Sequence, residues 1–374
     1  MTVPADILAR RDRLKAWLFE AALPLWSTAG TDHRRGGFFE KLNLDGSPVA
    51  AARRVRVVAR QVYVFAQAGR MGWNGPWRAL VEHGLAALAR HQRPDGLYGN
   101  TLTEDGAPLD DSAPPYEQAF GLLALSAAHQ ALGGLEDRAV IARETFAALL
   151  GRADGGVHDD PARGLPLRAN PLMHLFEAAL AWREAGDDAG WAALSDRIAR
   201  LAAARLIQPA TGALPELFDD HWRPTPDAEV EPGHQFEWGF LLLRHGTLAG
   251  SPESLERGAA LIRLAERLGV DAGRGVAIAS LGQDLLPLDR LARLWPQTER
   301  TRAGALLATS DPQAGWPVAR AGAESLLAYT GAAPLAGLWR EHMDGSGGWR
   351  EEPAPASSLY HLVGAIQALD EACG

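Results

Sequence analysis

Glycine-bearing turns recur along this chain at a spacing of about sixty residues, and that period restricts the fold more tightly than any other feature of the sequence. The turns read RRGGFFEKL at 34–42, PDGLYGN at 94–100, DGGVHDD at 154–160, TGALPELFDD at 211–220, DAGRGV at 271–276 and, after a longer interval, GSGGWREE at 345–352. Between them lie stretches whose apolar residues repeat at helical spacing, among them 55–70, 76–92, 115–132, 135–151, 170–185, 189–207, 234–249, 254–268 and 357–372. Leu and Ala outnumber β-branched residues inside these stretches, and Gly, Pro, Asp and Asn gather at the breaks, as helix ends require. One period holds two helices and two connections, so the repeating unit is a helical hairpin, and six such hairpins fill the 374 residues. A pair of helices cannot bury both apolar faces alone, so hairpins set side by side close into a ring or extend as a solenoid. Solenoid ends carry a polar outer face, whereas the terminal segments here are amphipathic like the others. The expected fold is all-α: an (α/α)6 barrel, six hairpins closed into a toroid, with strands only as short loop hairpins. No Pro/Ser-rich linker interrupts the chain, so one domain is expected over residues 1–374.

A formal charge of −9 argues against a surface that tracks phosphates, because nucleic-acid binding depends on clustered Lys and Arg. The densest basic run, Arg53, Arg54, Arg56 and Arg60, is flanked by acidic residues and reads as a solvated or substrate-anchoring cluster. The one cysteine, Cys373, excludes an intramolecular disulfide and a thiolate metal cluster, which fits a reducing cytoplasm. No stretch approaches the ~18 apolar residues of a membrane span, and charge breaks every short apolar run near the start, so neither membrane nor export signal is expected.

Three otherwise apolar helices carry unusual polar groups. In RANPLMHLFEAAL, Asn170, Met173, His174 and Glu177 fall at i, i+3, i+4 and i+7 on one face. In EPGHQFEWGFLLL, His234, Glu237, Trp238 and Leu241 repeat that spacing behind a Pro-Gly entry, and SSLYHLVGAIQAL opens the last helix with Tyr360 and His361. Arg56, Arg60 and Tyr63 form one stripe, Tyr116 and Glu117 follow two prolines at a helix start, and RLWPQTE adds Trp295, Gln297 and Glu299. Imidazoles, a guanidinium, carboxylates, amides and indoles together are what a sugar pocket needs: aromatic faces for C–H surfaces and planar polar groups for hydroxyls. Most lone histidines on helices are satisfied structural groups, and His33, His83, His91, His129, His245 and His342 are read that way. His174, His234 and His361 differ in having a Glu three residues on or a Tyr beside them. His-x-x-Glu at His174 and His234 also raises a metal, but the di-iron order is Glu-x-x-His with further Glu on facing helices. The GSGG run at 345–348 lacks the Lys and Ser/Thr of a phosphate loop, and no G-x-S-x-G turn marks a serine hydrolase.

The segments GGFFEKLNLDGSPV, RVVARQVYVFA, NPLMHLFEA, EPGHQFEW, LWPQTE and the terminal YH, in this order, resemble the N-acylglucosamine 2-epimerase superfamily, which includes cellobiose 2-epimerases, mannose isomerases and sulfoquinovose-type isomerases. The resemblance spans nearly the whole chain and implies an (α/α)6 barrel and a proton transfer that uses neither metal nor cofactor. It places Arg60, Tyr116, Asn170, His174, His234, Glu237 and His361 on the family's pocket positions. Many relatives read Trp and Gln where this chain has Arg56 and Val58. The chemistry expected is removal of the C2 proton of an open-chain aldose, with His234 and His361 as bases, Arg60 facing the enediolate, Glu237 orienting His234, and His174 assisting. Tyr116, Asn170, Met173, Glu177, Trp238, Trp295, Gln297 and Glu299 are the expected substrate contacts. The favoured reaction is aldose–ketose isomerisation of a free hexose, mannose to fructose; a sugar 2-epimerase is the alternative. A glycoside hydrolase using two of Asp159, Asp160, Glu216 and Asp219 comes third, and a non-catalytic sugar-binding protein is the remaining class. The expected partners are a small sugar and at most a second copy of the chain.

Overall fold

The computed structural model describes residues 3–158, 164–186 and 188–374. Helix α1 (Ala5–Trp17) passes through a π-helical turn, Leu18–Ala22, into α2 (Leu23–Thr28). Then follow α3 (Val55–Arg70), α4 (Trp77–Arg90), α5 (Pro115–Leu132), α6 (Glu136–Leu150), α7 (Ala169–Ala185), α8 (Ala189–Leu201), α9 (Pro232–Ala249), α10 (Pro252–Leu268), α11 (Leu294–Ser310), α12 (Pro312–Gly331) and α13 (Ala356–Cys373).

Helices α3, α5, α7, α9, α11 and α13 form an inner ring in which each packs on the next and α13 packs back on α3. The others form an outer layer, and α1 closes it by packing on α12 and α13. Composition sorts the two layers. On α10 the buried residues Ser254, Gly258, Leu261, Ile262 and Ala265 make one stripe, while in α9 nearly every residue from Pro232 to Leu243 is buried. The closest outer-to-inner approach runs along α11 and α12, where a Cβ on Gly304 would stand 2.3 Å from Ala319 N and one on Gly322 2.7 Å from Thr301 N. Only glycine allows those backbones to meet.

Each of the six repeated turns carries a glycine at positive φ: Gly36, Gly96, Gly155, Gly212, Gly275 and Gly347. The strands are two or three residues long, as expected, but several pair between hairpins instead of within them. Arg53–Arg54 pairs with Thr101–Leu102, Leu167–Arg168 with Leu217–Phe218, Ala292–Arg293 with His342–Met343, and Lys41–Leu42 with Ala354–Pro355. Each of these links lies directly before an inner helix, so the loops at this end of the ring are stitched to one another and fix where the inner helices begin.

All six inner helices start at this same end. Their aligned dipoles turn partial positive charge toward whatever the mouth holds. Three helical stretches lie outside those named from periodicity: 5–28, 294–310 and 312–331. In α11 the reason is plain, since Gln297, Thr298, Glu299, Arg300, Thr301 and Arg302 are all buried and leave no polar face to alternate with an apolar one.

Candidate active site

The first turns of the inner helices enclose a chamber of about 170 Å³, lined by Arg60, Tyr116, Asn170, His174, His234, Glu237, Trp295 and His361, with Glu231, Arg293, Ser357 and Ser358. It opens into an antechamber of about 630 Å³ that shares Arg60, Tyr116, Asn170, Arg293 and Ser357 with it. A rear cavity of about 400 Å³ lies at the C-terminal ends of the inner helices, among Gln67, Arg70, Gln130 and Arg244; no histidine among the described residues lines it.

The indole of Trp295 packs near two imidazoles, its ring 4.8 Å from His234 and 5.9 Å from His361, centre to centre. Gly233 makes room for it, because a Cβ there would lie 2.4 Å from the indole. The two imidazoles have opposite surroundings. His361 Nδ1 is 2.8 Å from Glu299 Oε1, and burial pulls its pKa below the ordinary imidazole value even though that carboxylate pulls it up. Burial also opposes charge on His234, yet Glu216 at 2.9 Å and Glu231 at 3.7 Å from Nδ1 outweigh it and push the pKa up to about 10. The His234–Glu216 contact is an ion pair outside hydrogen-bond alignment. The surroundings therefore push the two imidazoles apart, His361 toward the free base and His234 toward the imidazolium, a separation typical of paired acid and base roles. His174 is buried among Tyr116 and Phe120 and is held neutral, its pKa lowered to about 4 by burial.

Glu237 does not hold His234, as its spacing of one helical turn had implied. Its Oε1 lies 3.7 Å from His174 Nδ1 instead, and burial beside Glu299 and Glu177 raises its pKa well above the carboxylate range. Glu216, on the loop before α9, and Glu231, three residues ahead of His234, do that work. Both of Glu237's oxygens are buried without a hydrogen-bond partner, so a neutral carboxyl group is available to the chamber. On the opposite side Arg60 donates to the Tyr116 hydroxyl at 2.8 Å and lies 4.2 Å from the centre of the Phe120 ring.

Five of the expected substrate contacts lie behind the chamber wall. Glu177 accepts from Arg302 at 2.9 Å and from the Tyr360 hydroxyl; burial opposes its ionisation, but Arg302 and His174 hold its pKa far below the usual range. Glu299 faces His361 and Arg302, so Arg302 joins the two carboxylates that orient His174 and His361. The Gln297 amide is spent on both backbone groups of Ala277, repeating the clamps of Gln118 on Tyr98 and Gln235 on Leu214 at the same position of their helices. Met173 and Trp238 are core side chains, the latter packed on Phe176. Residue-by-residue reading missed Arg293, Ser357, Ser358 and Arg302; only the i, i+3 spacing of Arg302 from Glu299 was a usable signal.

Of the hydrolase carboxylates, Asp159 and Asp160 lie outside the described residues. Glu216 faces His234, and Asp219 is tied to Arg223 in its own loop, so neither is placed across the chamber from the other. Among the described residues two triads could hold a cation, His174–Glu177–Glu237 and Glu216–Glu231–His234, each with its ligand atoms within 4.8 Å. In the first, Glu177 also accepts from Arg302; in the second, Glu216 and Glu231 both face His234 Nδ1.

Three histidines and the Arg60 guanidinium line a chamber at the mouth of the helical ring, and the family and relatives place the chain in the class of sugar isomerases and epimerases. The chain belongs to the N-acylglucosamine 2-epimerase family, whose profile matches residues 37–365. A mannose-6-phosphate isomerase of Rhizobium meliloti (strain 1021) is 40% identical over 98% of both chains, and a D-mannose isomerase of Thermobifida fusca is 31% identical over 78% of both. Among solved structures, cellobiose 2-epimerase from Bacillus thermoamylovorans B4167 superposes with a TM-score of 0.88 over 97% of this chain and 99% of that one, at 15% identity. At that identity the likeness concerns the fold alone. No helix of the described residues is long and apolar enough to cross a membrane.

Proposed function

We propose that the protein interconverts an aldose and a ketose of the mannose–fructose type through a cis-enediolate, without a metal. The observation that carries this reading is the pair of imidazoles beside Trp295 in one chamber, His361 against Glu299 and His234 against Glu216 and Glu231, with Arg60 lining the same chamber. Neutral His361 takes the proton from C2 of the open-chain sugar, and Glu299 steadies the imidazolium that results. The imidazolium of His234 gives its proton to O1 as charge develops there, and Arg60 stabilises the enediolate. His361 then returns the carbon-bound proton to C1, while His234 recovers a proton from O2, which leaves the C2 ketone and restores both histidines. His174 and the neutral carboxyl of Glu237 hold the hydroxyls. A free hexose such as mannose meets all these groups within the chamber. The same reading has the protein working in the cytoplasm, which the lone Cys373 supports.

A second reading, 2-epimerisation, follows if the proton returns to C2 from the opposite face, since His234 and His361 both line the chamber. Turnover of mannose in D2O, followed by NMR, separates the two. Fructose labelled at C1 supports isomerisation. Glucose labelled at C2 with no fructose at long times refutes it and replaces it with the epimerase.

A further inference from the structure

The rear cavity takes no part in the chemistry at the mouth, yet it has the build of a binding pocket. Its rim is largely exposed and takes one residue from the last turn of each inner helix: Arg70, Gln130, Glu184, Thr247, Thr309 and Glu371. Its floor is buried, with Tyr63, Gln67, Glu177, Phe240 and Arg302. At about 400 Å³ it has more than twice the volume of the chamber, within the range of small-molecule sites. Two polar groups of the floor are unpartnered. The Tyr63 hydroxyl and the Gln67 amide nitrogen make no hydrogen bond among the described residues, although Tyr63 is only 7% and Gln67 5% exposed. The two stand four residues apart on one face of α3. Burial raises the Tyr63 pKa to about 12, which keeps the phenol a neutral donor. Buried groups of this kind nearly always find a partner, and theirs must come from inside the cavity.

The charges around the cavity select against ions. The inner helices end here, so their last carbonyls turn partial negative charge toward the cavity and disfavour an anion. Arg70, Arg244 and Arg302 line the same space and disfavour a cation. Arg302 is matched to Glu177 at 2.9 Å and Arg244 to Glu184 at 2.6 Å, and matched groups of this kind still present directed donors and acceptors. The rings of Tyr63 and Phe240 add apolar faces. Planar polar groups beside aromatic faces suit a hydroxyl-rich, uncharged molecule. The floor is also the back of the reaction chamber: Arg302 joins Glu177 to Glu299, and those carboxylates face His174 and His361.

We propose that the rear cavity is a second binding site, for a neutral hexose or polyol that hydrogen-bonds to Tyr63 and Gln67 and rests on Arg302 behind the two histidines. The site is separate from the reaction at the mouth, and its test needs no turnover. Mannitol lacks a carbonyl and cannot react, so it serves as the probe. A Cβ on Gly364 would lie 3.7 Å from Arg302 Cζ and 3.9 Å from the Tyr63 hydroxyl, which is ordinary contact, so Gly364→Leu places its side chain in the cavity between the two. Calorimetric titration should show the wild type binding one mannitol more per chain than Gly364→Leu, whether or not a further molecule enters the chamber. Tyr63→Phe should weaken the binding of that molecule about two- to tenfold, the worth of one neutral hydrogen bond, and should keep the melting temperature because no internal hydrogen bond is lost. Where Gly364→Leu does not fold, Tyr63→Phe decides alone. No mannitol bound by the wild type, or the same number bound with the same affinity by the wild type and the folded variants, would overturn the proposal.

Discussion

Replacing Glu216 by Gln should move the alkaline limb of the activity profile down while leaving the protein folded. Glu216 is the first of the carboxylates that hold His234 charged; its Oε1 is 2.9 Å from Nδ1, and both side chains are mostly buried. An opposite charge at that range shifts a titration by about 1–3 pH units, which is about 1.4–4 kcal/mol of preference for the imidazolium. Glu231, at 3.7 Å, remains in the variant and keeps part of the shift. The wild-type alkaline limb should lie near 10, where His234 loses its proton, and the Glu216→Gln limb about 1–3 units lower. The measurement is kcat/KM for a hexose from pH 5 to 11 in both proteins, with a thermal melt at each pH to exclude unfolding. Stability should change with the matching sign. A raised histidine pKa contributes stability that is fully present below the unfolded value of about 6.5 and is lost as pH rises through about 10. The variant's deficit should thus be full at and below neutral pH and vanish as pH rises above about 10. An alkaline limb that stays within a few tenths of a unit of the wild type, with activity retained, would show that His234 is not the group that must stay protonated.

His361→Ala and His234→Ala should each lower turnover by about 10²- to 10⁴-fold without loss of helical circular dichroism, and His129→Ala should leave it near wild type; full activity in both site variants would demand a different set of bases. Because the His361 pKa is lowered, the acid limb should fall below the ordinary imidazole value, and Glu299→Gln should move it lower still; an acid limb above 6.5 would contradict a neutral His361. Activity should survive EDTA, and loss restored by a divalent cation would turn attention to the triad of Glu216, Glu231 and His234. Closure of the inner ring by α13 on α3 should make unfolding a single cooperative transition, and Trp182→Ala, which removes a fully buried indole stacked on Trp191, should destabilise it by about 3–5 kcal/mol. Two resolved transitions would count against one domain.

The hairpin period was legible because glycine turns and apolar spacing are local properties, and each of those turns does hold a glycine at positive φ. Histidines in odd company on apolar helices were legible too, since a polar group on a helix that is otherwise buried all round stands out in one dimension. What failed was the assignment of partners. Glu237 sits one helical turn from His234 in sequence, yet inside a closed ring every side of an inner helix meets another helix. Its carboxyl group therefore meets His174 on the neighbouring helix and not the imidazole on its own. Gln297 and Glu299 read as sugar ligands because amides and carboxylates are what a sugar pocket needs, and only their packing shows one clamping Ala277 and the other braced between His361 and Arg302.

The sequence alone determined that the chain is a repeat of helical hairpins and named the three histidines, because turn chemistry, helix period and residue type act over a few residues. Tertiary structure decided which carboxylate stands beside which histidine, and with that which histidine is charged. A pKa or an ion pair depends on burial and on charges brought within a few ångströms by contacts between residues far apart in the chain, and no spacing along a single helix encodes those distances.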